Sequence, residues 1–301
     1  MTEVWVDTDF GFDDLWALLL LRHLGCDVAG VSLVAGNAPL PQVVANAVAA
    51  KAAYGFDWPL WQGTSRPLVR TAETAVRILG PTGMRSRGRQ LDPTGRALPP
   101  EGAVQALAAW LGAHPSTQKN ILALGPMTNI AHLLKDFPDL SRRISRLVWM
   151  GGSAGAGNHT PHAEYNAFAD AEALDIVVNA GVPLDVVDLT FCRKVTFGAD
   201  DLPDSDPLTL DLLGGYLDIG LERGRPGMAI YDPLAALALA RPETTIFDPC
   251  TLSVETGDSD TYGATRIADA SRSRTRVSVE ATADLARLCL DALKREAAHG
   301  D

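Results

Sequence analysis

Short apolar runs alternate with longer helix-forming stretches along much of the chain. Runs of four to eight Val-, Ile- or Leu-rich residues are typical of buried strands, whereas the longer stretches favour helices. The predicted strands are 4–6, 27–34, 60–61, 120–124, 144–150 and 184–189, and the predicted helices are 13–24, 40–54, 102–113, 127–135, 171–180 and 234–239. This alternation predicts an α/β protein with an open, Rossmann-like, mostly parallel central sheet flanked by helices.

Polar and glycine-rich segments follow four of the predicted strands. They are residues 7–14, Gly36-Asn37, Gly125-Pro126 and Gly151-Gly152. In an open parallel sheet, ligands bind at the carboxyl ends of the strands. We therefore expect one functional site, built from loops that are distant in sequence.

The segment DTDFGFDD at residues 7–14 contains four carboxylates. Asp7 and Asp9 have the period-2 spacing that places side chains on one face of a strand, and Asp13 and Asp14 fall in the first turn of a helix. Four such charges repel one another unless a cation is present, so the segment indicates a hard divalent metal held by oxygen ligands. Helix capping by Asp13 and Asp14 is the alternative, but it leaves Asp7 and Asp9 unexplained.

Two later segments carry further polar side chains. Residues 157–158 (GN) and 164–166 (EYN) supply amides and a carboxylate, which are suited to binding several sugar hydroxyls at once. Asp232 precedes Pro233 and a helix-forming run, and by itself it is typical of an N-cap. Beside an acidic cluster without a neutralising partner, it is also a candidate metal ligand.

Composition excludes several classes of protein. The 301 residues carry a formal net charge of −11 with only five lysines, which argues against nucleic acid as a partner. The four cysteines contain no CxxC pair and indicate buried thiols in a reducing compartment. No leader-like segment and no apolar run of membrane-spanning length is found, so we expect a cytoplasmic protein without a membrane partner.

Residues 80–100, rich in Gly, Pro and Arg, predict either a mobile lid or a solvated loop.

Seven motifs together resemble the nucleoside hydrolase family of the inosine-uridine-preferring type. They occur in the family's order and span most of the chain: DTDFGFDD at 7–14, AGN at 35–37, ALGPMTNIA at 123–131, MGG at 150–152, GN at 157–158, EYN at 164–166 and YDPLA at 231–235. The resemblance implies the nucleoside hydrolase fold as a single domain over residues 1–301. It also implies a nucleoside substrate, a calcium ion, and a homodimer or homotetramer.

The resemblance also implies a role for each matching residue. Asp9, Asp14 and Asp232 would hold Ca²⁺ with the backbone carbonyl of Leu124, and Asp7 would lie beside them. The ribose would be held by Asp13, Asp14, Asn37, Asn158, Glu164 and Asn166, with Met150 packed near the sugar. The expected reaction is metal-assisted hydrolysis of an N-ribosyl bond, in which Asp9 accepts a proton from the water that attacks C1′.

Two positions depart from the family pattern. Many relatives carry a histidine where this chain has Tyr231, and others have a His-Gly pair where it has Leu79-Gly80. His159 and His162 are the only histidines near the expected site, and a structural role is favoured for both. An aromatic side chain at the position of Tyr231 is similar to the pattern of the purine-selective branch of the family, so this ring is predicted to stack on a purine. The alternative is that Tyr231 only packs over the start of the following helix.

Two other functions are compatible with parts of the sequence. An aspartate pair after the first strand also suits a magnesium-dependent phosphatase with Asp7 as nucleophile. The missing histidines also permit a non-catalytic ribose- or nucleoside-binding protein. The scarcity of lysine and the sugar-binding EYN segment disfavour the phosphatase, and the complete carboxylate set disfavours the binding protein.

Overall fold

The strands of the protein alternate with helices as the sequence predicts. A computed structural model describes residues 2–93, 98–99, 102–113 and 118–294. The strands in this part of the chain are β1 (Glu3–Thr8), β2 (Asp27–Leu33), β3 (Leu60–Gln62), β4 (Asn120–Ala123), β5 (Arg146–Met150), β6 (Leu184–Val187), β7 (Thr196–Phe197), β8 (Met228–Ala229), β9 (Thr245–Val254), β10 (Thr265–Asp269) and β11 (Thr275–Ala281).

The α-helices occupy most of the connections between these strands. They are α1 (Phe12–His23), α2 (Leu40–Tyr54), α3 (Val76–Leu79), α4 (Ala103–Gly112), α5 (Thr128–Asp136), α6 (Tyr165–Ala169), α7 (Ala171–Asn179), α8 (Leu189–Cys192), α9 (Pro207–Leu221), α10 (Asp232–Ala240) and α11 (Leu285–Asp291). Short 3₁₀ turns cover 138–143, 199–201 and 242–244. No helix among the described residues is long and apolar enough to cross a membrane.

Nine of the described strands form one sheet in the order β10-β9-β11-β6-β5-β4-β1-β2-β3. Pairing is parallel from β11 to β3, and only β9 pairs antiparallel with its neighbours. The prediction of a mostly parallel sheet flanked by helices is therefore confirmed. Helices α1, α2, α9 and α10 pack on one face and α4, α5 and α7 on the other, which explains the continuous apolar runs of the central strands.

Several elements have no counterpart in the sequence prediction. Helix α9 contains Gly214-Gly215, a pair that weakens helix propensity, and strand β9 contains Pro249, which cannot donate a hydrogen bond within a sheet. Both are stabilised by tertiary contacts: α9 packs into the core, and β9 pairs with β10 and β11 near the edge of the sheet.

The described part of the 80–100 segment is attached to α9 and the residue after it. Arg85 pairs with Glu222 (2.6 Å), Arg87 with Asp218 (2.6 Å) and Arg89 with Asp211 (3.0 Å). Positions 94–97 and 100 lie outside the described residues. A lid formed by this segment remains a prediction.

Candidate active site

A cavity opens at the carboxyl ends of the central strands. Most of the residues singled out in the sequence line it, and they come from six separate parts of the chain: Asp9, Asp13, Asn37, Leu124, Met150, Asn158, Glu164, Asn166, Tyr231 and Asp232. Asp14 and Asp7 are fully buried behind this lining. Loops distant in sequence thus meet at one site, because parallel strands end at the same edge of the sheet.

Three carboxylates converge at the floor of the cavity. Asp13, Asp14 and Asp232 each place a carboxylate oxygen within 4.8 Å of the others. Asp14 Oδ2 also accepts hydrogen bonds from the Gly11 N–H (2.7 Å) and from Asn37 Nδ2 (3.2 Å). Asp14 therefore both closes the first turn of α1 and contributes to the acidic cluster.

Asp9 lies beside this cluster and is held by Asn37. Its Oδ2 accepts from the Asn37 N–H (2.7 Å) and its Oδ1 from Asn37 Nδ2 (3.1 Å). A Cβ on Gly36 would lie 2.1 Å from Asp9 Oδ2, so the AGN motif needs glycine for the backbone to approach this carboxylate. Phe10 adopts a left-handed φ of 44°, a strained conformation of the kind found at functional sites.

Asp7 occupies a different environment. Its Oδ1 accepts from Ser32 Oγ and from Asn129 Nδ2 (2.8 Å), while its Oδ2 is buried without a hydrogen-bond partner. Asp7 does not line the cavity, so no substrate phosphorus would reach it. This position does not support the phosphatase alternative.

Burial raises the pKa of every carboxyl group in the cluster. It raises the pKa of Asp7 to about 7, and burial together with the charge of Asp14 raises that of Asp13 to about 7. The pKa values of Asp9 and Asp232 rise well above the usual range for the same two reasons, burial first and neighbouring carboxylates second. No Lys, Arg or His within the described residues forms an ion pair with any of the five aspartates. Without a nearby cation these carboxyl groups favour the protonated form, so a fully ionised cluster would require a cation from solution.

Asp232 does not cap its helix. Helix α10 begins at Asp232 itself, and no side chain accepts a hydrogen bond at the capping position, which is Tyr231. The Asp232 side chain is 4% exposed and lies with Asp13 and Asp14 instead. Between the two sequence interpretations, this geometry supports a place in the acidic cluster.

The 158–166 segment forms the polar wall of the cavity. The Glu164 carboxylate accepts from three backbone N–H groups, those of Gly152 (2.8 Å), Asn166 (2.9 Å) and Ala167 (3.1 Å). Burial nevertheless raises its pKa to about 7. Asn166 Nδ2 donates to the carbonyls of Leu124 (2.8 Å) and Met150 (3.0 Å). These bonds fix the amide and the carboxylate at the ends of β4 and β5.

The two histidines near the site differ in position. His159 lines the cavity, but its Nε2 lies 3.0 Å from Glu73 Oε1 and its ring packs against Phe168 at 4.3 Å between centroids. His162 is exposed and does not line this cavity. These contacts are compatible with the structural roles expected from the sequence.

The remaining wall holds Tyr231, which the sequence predicts to stack on the base, and other residues that sequence reasoning did not select as site residues. Leu79 and Tyr231, the two departures from the family pattern, both face the cavity, and so do Ala75, Ile78, Tyr216, Ile219, Arg223, Arg225 and Met228. Most belong to α3, α9 and β8, where no motif marks them. Tyr216 donates from its hydroxyl to Asp13 Oδ2 (3.1 Å), a contact visible only in the folded chain.

The mostly parallel sheet, the acidic cluster at its strand ends and the amide-rich wall define the class as an α/β protein with a candidate metal-binding active site. A sequence profile described as inosine-uridine preferring nucleoside hydrolase matches residues 4–289. The chain belongs to this family and is an N-ribosyl hydrolase. The resemblance found in the sequence is therefore confirmed over nearly the whole chain.

Relatives and solved structures agree with this assignment. The chain is 35% identical over 266 residues to the non-specific ribonucleoside hydrolase RihC of Klebsiella pneumoniae, covering 86% of each chain. It is 32% identical to RihC of an Escherichia coli strain over 268 residues, covering 87% of this chain and 86% of the relative. In fold it is similar to a plant nucleoside hydrolase, PpNRh1, with a TM-score of 0.87, 23% identity and coverage of 98% and 99% of the two chains.

Proposed function

We propose that this chain, acting as a single domain, hydrolyses the N-glycosidic bond of ribonucleosides to give ribose and the free base. The observation that carries the proposal is a cluster of five aspartates, four buried and Asp13 partly buried, that have no cationic partner in the described part of the chain and lie beside a wall of amides and a carboxylate. A nucleic acid or a membrane would not fit this acidic cavity. Because the chain belongs to the nucleoside hydrolase family, neither alternative function, the phosphatase or the non-catalytic binding protein, is needed to explain the acidic cluster.

A calcium ion fits the donor set. The cluster offers only oxygen atoms, one Asp7 oxygen is buried without a partner, and Ca²⁺ takes six to eight oxygen ligands. Asp9, Asp14, Asp232 and the Leu124 carbonyl would hold the ion, with Asp7 beside them. When bound, calcium would neutralise the carboxylates and make a bound water more acidic.

The protein side chains would then orient the ribose and accept a proton. Sugar hydroxyls would bind carboxylates and amides that line the cavity, with Met150 against the ring: Asp13, Asn37, Asn158, Glu164 and Asn166. Asp14, directly behind this lining, would complete the set. Asp9 would take a proton from the water that attacks C1′ as the base departs, as the general base does in inverting glycoside hydrolysis.

A purine preference follows from the wall opposite the sugar. Tyr231 would stack on the base, and Ile78, Leu79, Ile219 and Met228 give this part of the cavity an apolar surface. We expect Tyr231→Ala to lower kcat/KM for inosine by about tenfold, the scale of one lost stacking contact, and for uridine by less. Faster hydrolysis of uridine than of inosine by the unaltered protein would contradict stacking.

The cellular location and the number of subunits of the enzyme are also proposals. We propose a cytoplasmic homodimer or homotetramer that acts on small nucleosides. Light scattering of the purified chain would report the number of subunits, and a monomer at micromolar concentration would contradict this part.

Metal removal tests the central proposal. Prolonged dialysis against a chelator should abolish release of hypoxanthine from inosine, because the carboxylates would be left without their counter-charge. Returning calcium should restore the reaction, whereas magnesium, which prefers fewer protein ligands at shorter distances, should restore less. Elemental analysis of the purified protein provides the control for complete removal. Full activity in the metal-free protein would overturn the proposal.

A further inference from the structure

The lining of the cavity carries two positive charges besides its carboxylates. Arg223 and Arg225 lie on the turn between α9 and β8, and both line the same cavity as the acidic cluster. The cavity is therefore acidic at the strand ends and basic at this turn. Along the chain, the two arginines lie between two apolar residues of the same lining, Ile219 before them and Met228 after.

Both arginines are exposed, and neither is paired within the part of the chain that the structure describes. Across 2–93, 98–99, 102–113 and 118–294, no carboxylate forms an ion pair with either guanidinium. The adjacent carboxylate, Glu222, is held by both terminal nitrogens of Arg85, at 2.6 and 2.8 Å. Tyr231, the ring proposed to meet the base, lines the same cavity as both arginines.

This inference rests on the proposed function, which determines the part of the nucleoside that meets the arginines. With ribose bound by the acidic and amide groups, the base extends towards Tyr231 and the arginines. Breaking the C1′–N bond leaves its electron pair on the base. His159, the only histidine among the described residues that line the cavity, is bound to Glu73, whereas the guanidinium groups are free to donate.

We propose that Arg223 and Arg225 stabilise the negative charge that develops on the departing base, and that they do so without protonating it. A guanidinium keeps its proton at neutral pH, so it acts by its charge and its N–H donors and not as an acid. A water oxygen forms the new bond to C1′, the C1′–N bond breaks, and the proton of the water passes to Asp9. The released base anion then takes a proton from solvent.

The test compares two substrates that share ribose and differ in the leaving group. In inosine hydrolysis, the negative charge on the departing base has to be stabilised by the protein. The p-nitrophenyl β-D-riboside instead releases a phenolate that delocalises the charge over its own ring. We expect Arg223→Ala and Arg225→Ala to lower kcat/KM for inosine by about 10- to 100-fold, the effect of one lost charge-assisted hydrogen bond, and for the nitrophenyl riboside by less than about threefold. Arg77→Ala, an exposed arginine of α3 outside the cavity lining, is the matched control and should change neither rate.

The pattern across both substrates decides the outcome. Equal losses on both substrates would show a role in sugar binding or folding and would overturn the inference, and so would unchanged inosine hydrolysis in the double variant. If the unaltered protein released neither hypoxanthine nor nitrophenolate, the proposed function itself would fail and this inference with it. A steeper dependence of rate on leaving-group acidity in the variants would support the inference.

Discussion

Replacing Asp9 with asparagine should lower kcat for inosine by about 1000-fold, within the range found for loss of a general base. Asparagine keeps the size of the side chain and one oxygen, but it cannot accept a proton from water. It can also still lie against Asn37, the residue that donates two hydrogen bonds to Asp9. Steady-state kinetics at saturating calcium and inosine would measure the effect.

Two further measurements make this result specific to proton transfer. Circular dichroism should show that the Asp9→Asn protein is folded, and calcium should still raise its melting temperature. Asp170→Asn is a suitable control, because this fully buried aspartate bonds Thr128 and the Ala173 N–H without lining the cavity. A kcat within threefold of the unaltered enzyme would refute the role of Asp9.

Replacing Asp232 with alanine should abolish the response to calcium and lower turnover by about 1000-fold, or about 4 kcal/mol in activation free energy. In the unaltered protein, calcium at 100 times its Kd should add about 2.7 kcal/mol to the free energy of unfolding. The same substitution should leave the metal-free protein as stable as before or more stable, because it removes a buried, repelled carboxylate. Thermal melts with and without calcium would measure both effects.

Asp188 supplies the matched control for Asp232. It is another buried aspartate at the start of a helix, but its carboxylate accepts from the N–H groups of Phe191 and Ala154, both at 2.9 Å. Asp188→Asn should lower stability by about 1 kcal/mol, because the amide nitrogen cannot accept a hydrogen bond in place of the second carboxylate oxygen, and it should keep the calcium response. If Asp232→Ala behaved in the same way as Asp188→Asn, Asp232 would be a capping residue and not a ligand.

The sequence was sufficient to predict the part of the fold that positions the site. The apolar runs of β1, β4 and β5 are buried on both sheet faces, so their composition alone indicates parallel strands, and the polar residues after them had to meet at one edge. The role of Asp232 was ambiguous from the sequence. An aspartate followed by proline is typical of a helix N-cap, but the same aspartate was also a candidate metal ligand. Only the packing of α10 against α1 shows which way its carboxylate lies.

The wall around the base could not be predicted in the same way. Tyr216, Ile219, Arg223 and Arg225 come from α9 and the turn after it, where two glycines obscure the helix and no motif marks a function. Their place in the site depends on how α9 packs over the strand ends. Such packing depends on the whole core, and no spacing along the chain encodes it.

Helices α1 and α10 pack against each other and each contributes a carboxylate to the acidic cluster, so loss of activity on heating should follow loss of this packing. Asp14 and Asp232 are far apart in the sequence, yet their helices share one core. A fragment that lacked either helix would lose part of the acidic cluster. Heat inactivation should therefore coincide with cooperative melting of the entire protein, so that a simple assay of base release also reports the integrity of the native state.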